Sequence, residues 1–93
     1  MSSFSRYVVA YDISSQQERN RISDILTGYG FRVQKSVFEC SLSVGDKAKM
    51  LEELERIDLQ EGCVYIYHLS KESERIDFGQ APKSPDSGYA FII

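Results

Sequence analysis

Tyr7-Val8-Val9-Ala10-Tyr11 and Cys63-Val64-Tyr65-Ile66-Tyr67 both read as β-strands, and neither alternates apolar with polar residues. Successive side chains on a strand point to opposite faces, so a sheet open to water on one side alternates. Strands that are apolar on both sides need cover on both sides. A chain of 93 residues has room for one core only. Helices can cover one face; the simplest cover for the other is a partner sheet, and the smallest such partner is a second copy of the chain.

The stretches between these strands supply the helices. Ser15-x-x-Glu18 is a capping box, in which the serine oxygen takes an orphan backbone N–H and the glutamate reaches back. The helix it opens places Ile22, Ile25, Leu26 and Tyr29 on one face, and Gly28 and Gly30 end it. From Phe31 to Cys40, with Leu42 as the outer limit, the chain is β-rich and long enough for two short strands with a tight turn at Lys35-Ser36. A second helix is expected from Val44 to Ile57, capped by Ser43, with Ala48, Leu51, Leu54 and Ile57 facing inward; Leu59 to Gly62 is a loop. The order is βαββαβ, which predicts an α+β, ferredoxin-like plait with both helices on one sheet face.

The whole chain is read as a single domain: a core over 4–69, a polar linker over 70–87 and a C-terminal strand over 88–93. The linker holds both prolines, Pro82 and Pro85, with room for a short strand at Arg75–Phe78. Tyr89-Ala90-Phe91-Ile92-Ile93 is strongly β-prone, and a free apolar tail invites aggregation, so it is expected to dock on a sheet edge.

Composition narrows the function classes. No apolar run approaches the ~20 residues that span a bilayer, and the N-terminus lacks a signal-peptide pattern, so no membrane association is expected and the cytoplasm is the default compartment. Cys40 and Cys63 belong to no CxxC pair, and His68 is the one histidine, which sets structural zinc aside. A net charge of −3 argues mildly against a polyanion partner. Residues 1–35, however, carry Arg6, Arg19, Arg21, Arg32 and Lys35 against Asp12, Glu18 and Asp24, so any phosphate-binding surface belongs to the first third.

Asp12 stands where the first strand ends. A strand end is rigid and aims a carboxylate; such an aspartate either makes an Asx turn ahead of the helix or holds a divalent cation. Ser14 and Ser15 already offer cap oxygens. Magnesium keeps several waters and needs only one or two carboxylates plus phosphate oxygens, and a twofold axis joining two Asp12 would supply the pair. Arg19 and Arg21, two apart on a helix, point about 200° apart and cannot grip one phosphate together. Tyr11 and Phe38 read as core, and His68 as a strand residue.

Tyr7-Val-Val-Ala-Tyr-Asp-Ile, followed by Arg19-Asn20-Arg21 and then by Tyr29-Gly30-Phe31-Arg32-Val33-Gln34-Lys35-Ser36-Val37-Phe38-Glu39-Cys40, closely resembles the smaller of the two core CRISPR adaptation proteins. That is the CRISPR-associated endoribonuclease family which partners the spacer integrase. The resemblance covers residues 7–69. It implies a ferredoxin-like fold, a sheet-to-sheet homodimer, and a C-terminal strand that extends the partner's sheet. It also implies that Asp12 is the catalytic and metal-binding residue, with Mg²⁺ or another divalent cation at the dimer axis. Tyr11, Arg19, Arg21, Arg32 and Phe38 match positions tied to activity or nucleic-acid contact. The function implied is a metal-dependent endonuclease of CRISPR adaptation acting on RNA or DNA, with the integrase and protospacer duplex as partners. The alternative is a non-catalytic duplex-DNA scaffold between integrase dimers. A ferredoxin-like small-molecule sensor would leave the arginines unexplained.

Overall fold

β1 (Ser5–Asp12), α1 (Gln16–Thr27), β2 (Gly30–Gln34), β3 (Val37–Leu42), α2 (Val44–Glu55) and β4 (Cys63–Leu69) follow one another in a computed structural model that describes residues 3–79. The expected strand over 88–93 lies outside the described residues. One antiparallel sheet runs in the order β2-β3-β1-β4. The fold is α+β, with a four-stranded antiparallel sheet and two helices.

Strand pairing sorts the side chains by face. Tyr7, Val9 and Tyr11 of β1 stand beside Cys40 and Phe38 of β3 and His68, Ile66 and Val64 of β4. This face packs on Ile22 and Leu26 of α1 and Met50 of α2 to form the core. Tyr7 lies against His68, ring centroids 5.0 Å apart, while the Lys47 ammonium sits 5.4 Å from the Tyr7 ring. The other face carries Val37, Ala10 and Tyr65 in one row and Glu39, Val8 and Tyr67 in the next. Tyr65 and Tyr67 are stacked on one another yet 49% and 54% exposed, so the β4 side of this band lies open.

Several local expectations change. Ser15 does cap α1, its oxygen accepting from the Glu18 N–H at 3.3 Å. Glu18 does not reach back, however: its carboxylate accepts from the Gln60 N–H in the loop before β4. Gly28 closes α1 in right-handed conformation, but Gly30 belongs to β2. It is glycine because a Cβ there would sit 2.1 Å from the Glu39 carbonyl. In α2, which ends at Glu55 and not at Ile57, Met50 is the fully buried residue, Leu51 and Leu54 are half-buried and Ala48 is exposed; Ile57, just past the helix, is half-buried. Leu54 and Ile57 pack against the core as expected, and Met50 joins them because a long thioether reaches where the Ala48 methyl does not.

The expected strand at Arg75–Phe78 makes no ladder among the described residues. The segment instead lies against the open face beside Arg6, Val8, Glu39 and Leu69. Arg6 donates to the Ser73 carbonyl at 3.3 Å, and Arg75 donates to Glu39 at 2.7 Å. A chain bound over the middle of a face cannot also pair along an edge.

Candidate nucleic-acid interface

Asp12 ends β1 directly opposite Cys63, the first residue of β4, and its side chain is exposed on the open-face side. Gly62 pins its backbone. That glycine has φ +91°, and a Cβ there would meet the Asp12 carbonyl at 2.3 Å, so only glycine allows β4 to start so close. Among the described residues, no hydrogen bond or ion pair engages the Asp12 carboxylate; the helix cap is Ser15, and no Asx turn forms. Next along β4, the Tyr65 phenol is raised above its ordinary pKa, chiefly by its hydrogen bond to the Cys63 side chain, with the Asp12 charge a minor contribution.

A cleft of about 300 Å³ opens beside Asp12, between the start of α1 and the β2–β3 turn. Four of the six site candidates, Tyr11, Asp12, Arg19 and Arg32, line it; so do Gln16, Asn20, Ser23 and Ser36, together with Lys35 of the basic first third. Gln16, Asn20 and Ser23 fall at helical spacing on one face of α1, a signal available in the sequence. Its charged lining is three cations (Arg19, Arg32, Lys35) and one carboxylate, in a chain of net charge −3. Such a lining attracts phosphate.

The aromatic and basic residues divide by what holds them. Tyr11 is buried; its N–H donates to the Ser36 carbonyl at 3.1 Å and its hydroxyl to the Lys35 carbonyl at 3.4 Å, so it ties the turn to β1. Arg19 donates to the carbonyls of Ile13 and Ser14, each at 2.8 Å, and to Gln16 Oε1 at 2.7 Å. It closes the loop between β1 and α1. Arg32 donates to Ser23 Oγ while its guanidinium lies 5.2 Å from the centroid of buried Phe38. Phe38 therefore acts as a floor for Arg32. Arg21 is not in this cleft: it lines a shallow groove between the helices with Asp24, Ile25, Glu53, Arg56 and Ile57, where cations and acids balance.

For a divalent cation, the donor available is hard oxygen on Asp12, exposed and uncommitted, which suits magnesium with waters completing its shell. Among the described residues there is no group of three or more His, Cys, Asp or Glu able to hold a metal, so each chain offers one carboxylate here.

Comparison with known proteins identifies the family of the chain. The family model for CRISPR associated protein Cas2 matches residues 5–76. "CRISPR-associated endoribonuclease Cas2 3" of Synechocystis is 36% identical over 89 residues, 92% of this chain and 97% of that protein. "CRISPR-associated endonuclease Cas2 2" of Thermus thermophilus is 37% identical over 82 residues, 83% of this chain and 87% of that protein. A crystal structure of hypothetical protein TT1823 from Thermus thermophilus superimposes with a TM-score of 0.78 at 31% identity, covering 88% of this chain and 99% of that one. With a family match over most of its length and relatives similar from end to end, the chain belongs to the CRISPR associated protein Cas2 family.

Proposed function

We propose that this protein is a metal-dependent endonuclease of CRISPR adaptation that cleaves phosphodiester bonds of RNA or DNA and works beside the spacer integrase in the cytoplasm. The observation that carries the reading is Asp12: an exposed, uncommitted carboxylate at the end of β1, beside a cleft whose other charged residues are all cations. Relatives named endoribonuclease and endonuclease support the activity. No described helix is long and apolar enough to cross a membrane.

The strand order and the two helices on one face support a ferredoxin-like plait over residues 4–69, within a single domain. Half-exposed Tyr65 and Tyr67 support a homodimer formed sheet to sheet. Residues 88–93 would then add a strand to the partner's sheet. In that dimer two Asp12 carboxylates would hold Mg²⁺. When bound, the cation supplies a water of lowered pKa and offsets charge on the phosphate. The chain's own part is positional: Gly62 and β4 fix Asp12, Tyr11 and Arg19 fix the cleft walls, and the Arg32 charge faces the backbone of the nucleic acid.

The test is cleavage of single-stranded RNA, single-stranded DNA and duplex DNA by wild type and Asp12→Ala, with Mg²⁺ and with EDTA. The expected result is loss of roughly 10²-fold or more in rate on removing either Asp12 or the metal, with the dimer intact by sedimentation. Equal cleavage by the two proteins sinks the catalytic assignment. A duplex-binding scaffold is the second reading, favoured by a cationic cleft holding one carboxylate per chain. Retained spacer acquisition by Asp12→Ala would select it.

A further inference from the structure

Three cations line the cleft, and they are not equivalent. We infer that Lys35, with Arg32, is the pair that grips a nucleic-acid phosphate there, and that Arg19 is a strut of the fold. The inference rests on the cleft being a phosphate site but not on cleavage.

Arg19 commits three of its five N–H donors to Ile13, Ser14 and Gln16. Two of those acceptors are backbone carbonyls of the loop leaving β1, so turning Arg19 toward a ligand would orphan them. Arg32 gives a donor to Ser23 and rests on Phe38, which leaves its exposed guanidinium oriented but with donors to offer. Lys35 is exposed at the tip of the β2–β3 turn, and no described carboxylate forms an ion pair with it.

Its backbone, unlike its side chain, is fixed. Tyr11, buried in the core, donates through its hydroxyl to the Lys35 carbonyl and through its N–H to that of Ser36. An exposed ammonium on an anchored stem, lining the same cleft as an oriented guanidinium, suits an anion that arrives with its own oxygens. Asp12 is among the residues lining the same cleft.

Counterion release makes the inference measurable. Each phosphate neutralised on a single strand contributes about 0.7 to the slope of log K against log salt. The probe is a short single-stranded RNA, bound in EDTA so that nothing is cut, titrated at several salt concentrations. Lys35→Ala is expected to lower the slope by about 0.7 for each Lys35 engaged, to weaken binding several-fold at low salt, and to leave the melting temperature unchanged. Lys35→Arg restores the slope. Arg56→Ala removes the same charge from the helix groove and keeps the wild-type slope. Arg19→Ala lowers the melting temperature.

A wild-type slope in Lys35→Ala, or an equal fall in Arg56→Ala, overturns the inference. Should wild type bind neither this RNA nor single-stranded or duplex DNA of the same length, the inference and the functional reading fall together. If instead Lys35→Ala behaves as expected while Asp12→Ala still cleaves, the cleft is a phosphate site and the catalytic assignment alone is wrong.

Discussion

Asp12 and Glu39 are carboxylates on the same face of the same sheet, on adjacent strands, and they have opposite circumstances. Glu39 has a side chain only 9% exposed and meets Arg75, itself 23% exposed, at 2.7 Å. Asp12 is exposed and engages no described partner. Ala10 and Val8 of β1 carry this face from one to the other. A buried charge must be paired, and once paired it is part of the fold. A charge held rigidly at a strand end and left in water is available to something else.

The thiols beside the two carboxylates should show the largest contrast. Cys40 follows Glu39 and is buried, and burial pushes its pKa up to about 11. Two units above the ordinary value means about a hundredfold less thiolate at neutral pH, and thiolate is the reactive form. Alkylation of Cys40 followed by mass spectrometry should be at least about a hundredfold slower in native than in denatured protein. Half-buried Cys63, opposite Asp12, should label in the native state. Rapid native labelling of Cys40 would mean that the Glu39 region opens and that the contrast between the two regions is wrong.

Stability should separate the carboxylates next. Glu39→Ala removes the 2.7 Å partner of partly buried Arg75, which keeps Asp77 at 3.0 Å. The expected cost is about 2 kcal/mol, or roughly 10 °C in melting temperature. Asp12→Ala should stay within about 0.5 kcal/mol of wild type, as for other exposed positions. Equal destabilisation by both would break the comparison; retained RNA affinity in folded Glu39→Ala would sharpen it.

The smallest effect lies off the open face, as a control on what a paired carboxylate does. Tyr29 donates to Glu53 and so ties the end of α1 to α2; that hydrogen bond, with smaller contributions from burial and nearby acids, raises its phenol to about 12. A folded-state pKa above the unfolded value of 10.0 gives a contribution fully present below pH 10, lost as pH rises through about 12. Melting of wild type should therefore fall more steeply than that of Tyr29→Phe between those values. Parallel curves would remove this pair from the account. Tyr65 also titrates above its ordinary range but is common to both proteins.

What the sequence disclosed follows from how local each signal is. The Ser15 cap, the Lys35-Ser36 turn and the two-sided apolar strands are written within a few residues, and each is found where expected. On α2 the sequence pattern names Leu54 and Ile57, which do pack against the core, but it offers Ala48 where Met50 takes the central place, because Met50 and the leucines form competing stripes. Arg75 meets Glu39 across 36 positions, a distance no local pattern spans. The arginines show the same limit: charge is legible, but whether a guanidinium meets a loop carbonyl, a ring or open water depends on where the backbone arrives. Lys35 resembles any surface lysine until the Tyr11 hydroxyl is seen on its carbonyl.

The Arg19 strut has a consequence for which substitutions the chain tolerates. Its planar, forked head meets two carbonyls and an amide oxygen at once. An ammonium carries the same charge but not that plane, so lysine is no substitute there. At Lys35 the demand is for positive charge on an exposed stem, which either basic residue meets. In a library randomised at both positions and selected for function, position 19 should return arginine alone, whereas position 35 should return arginine and lysine together.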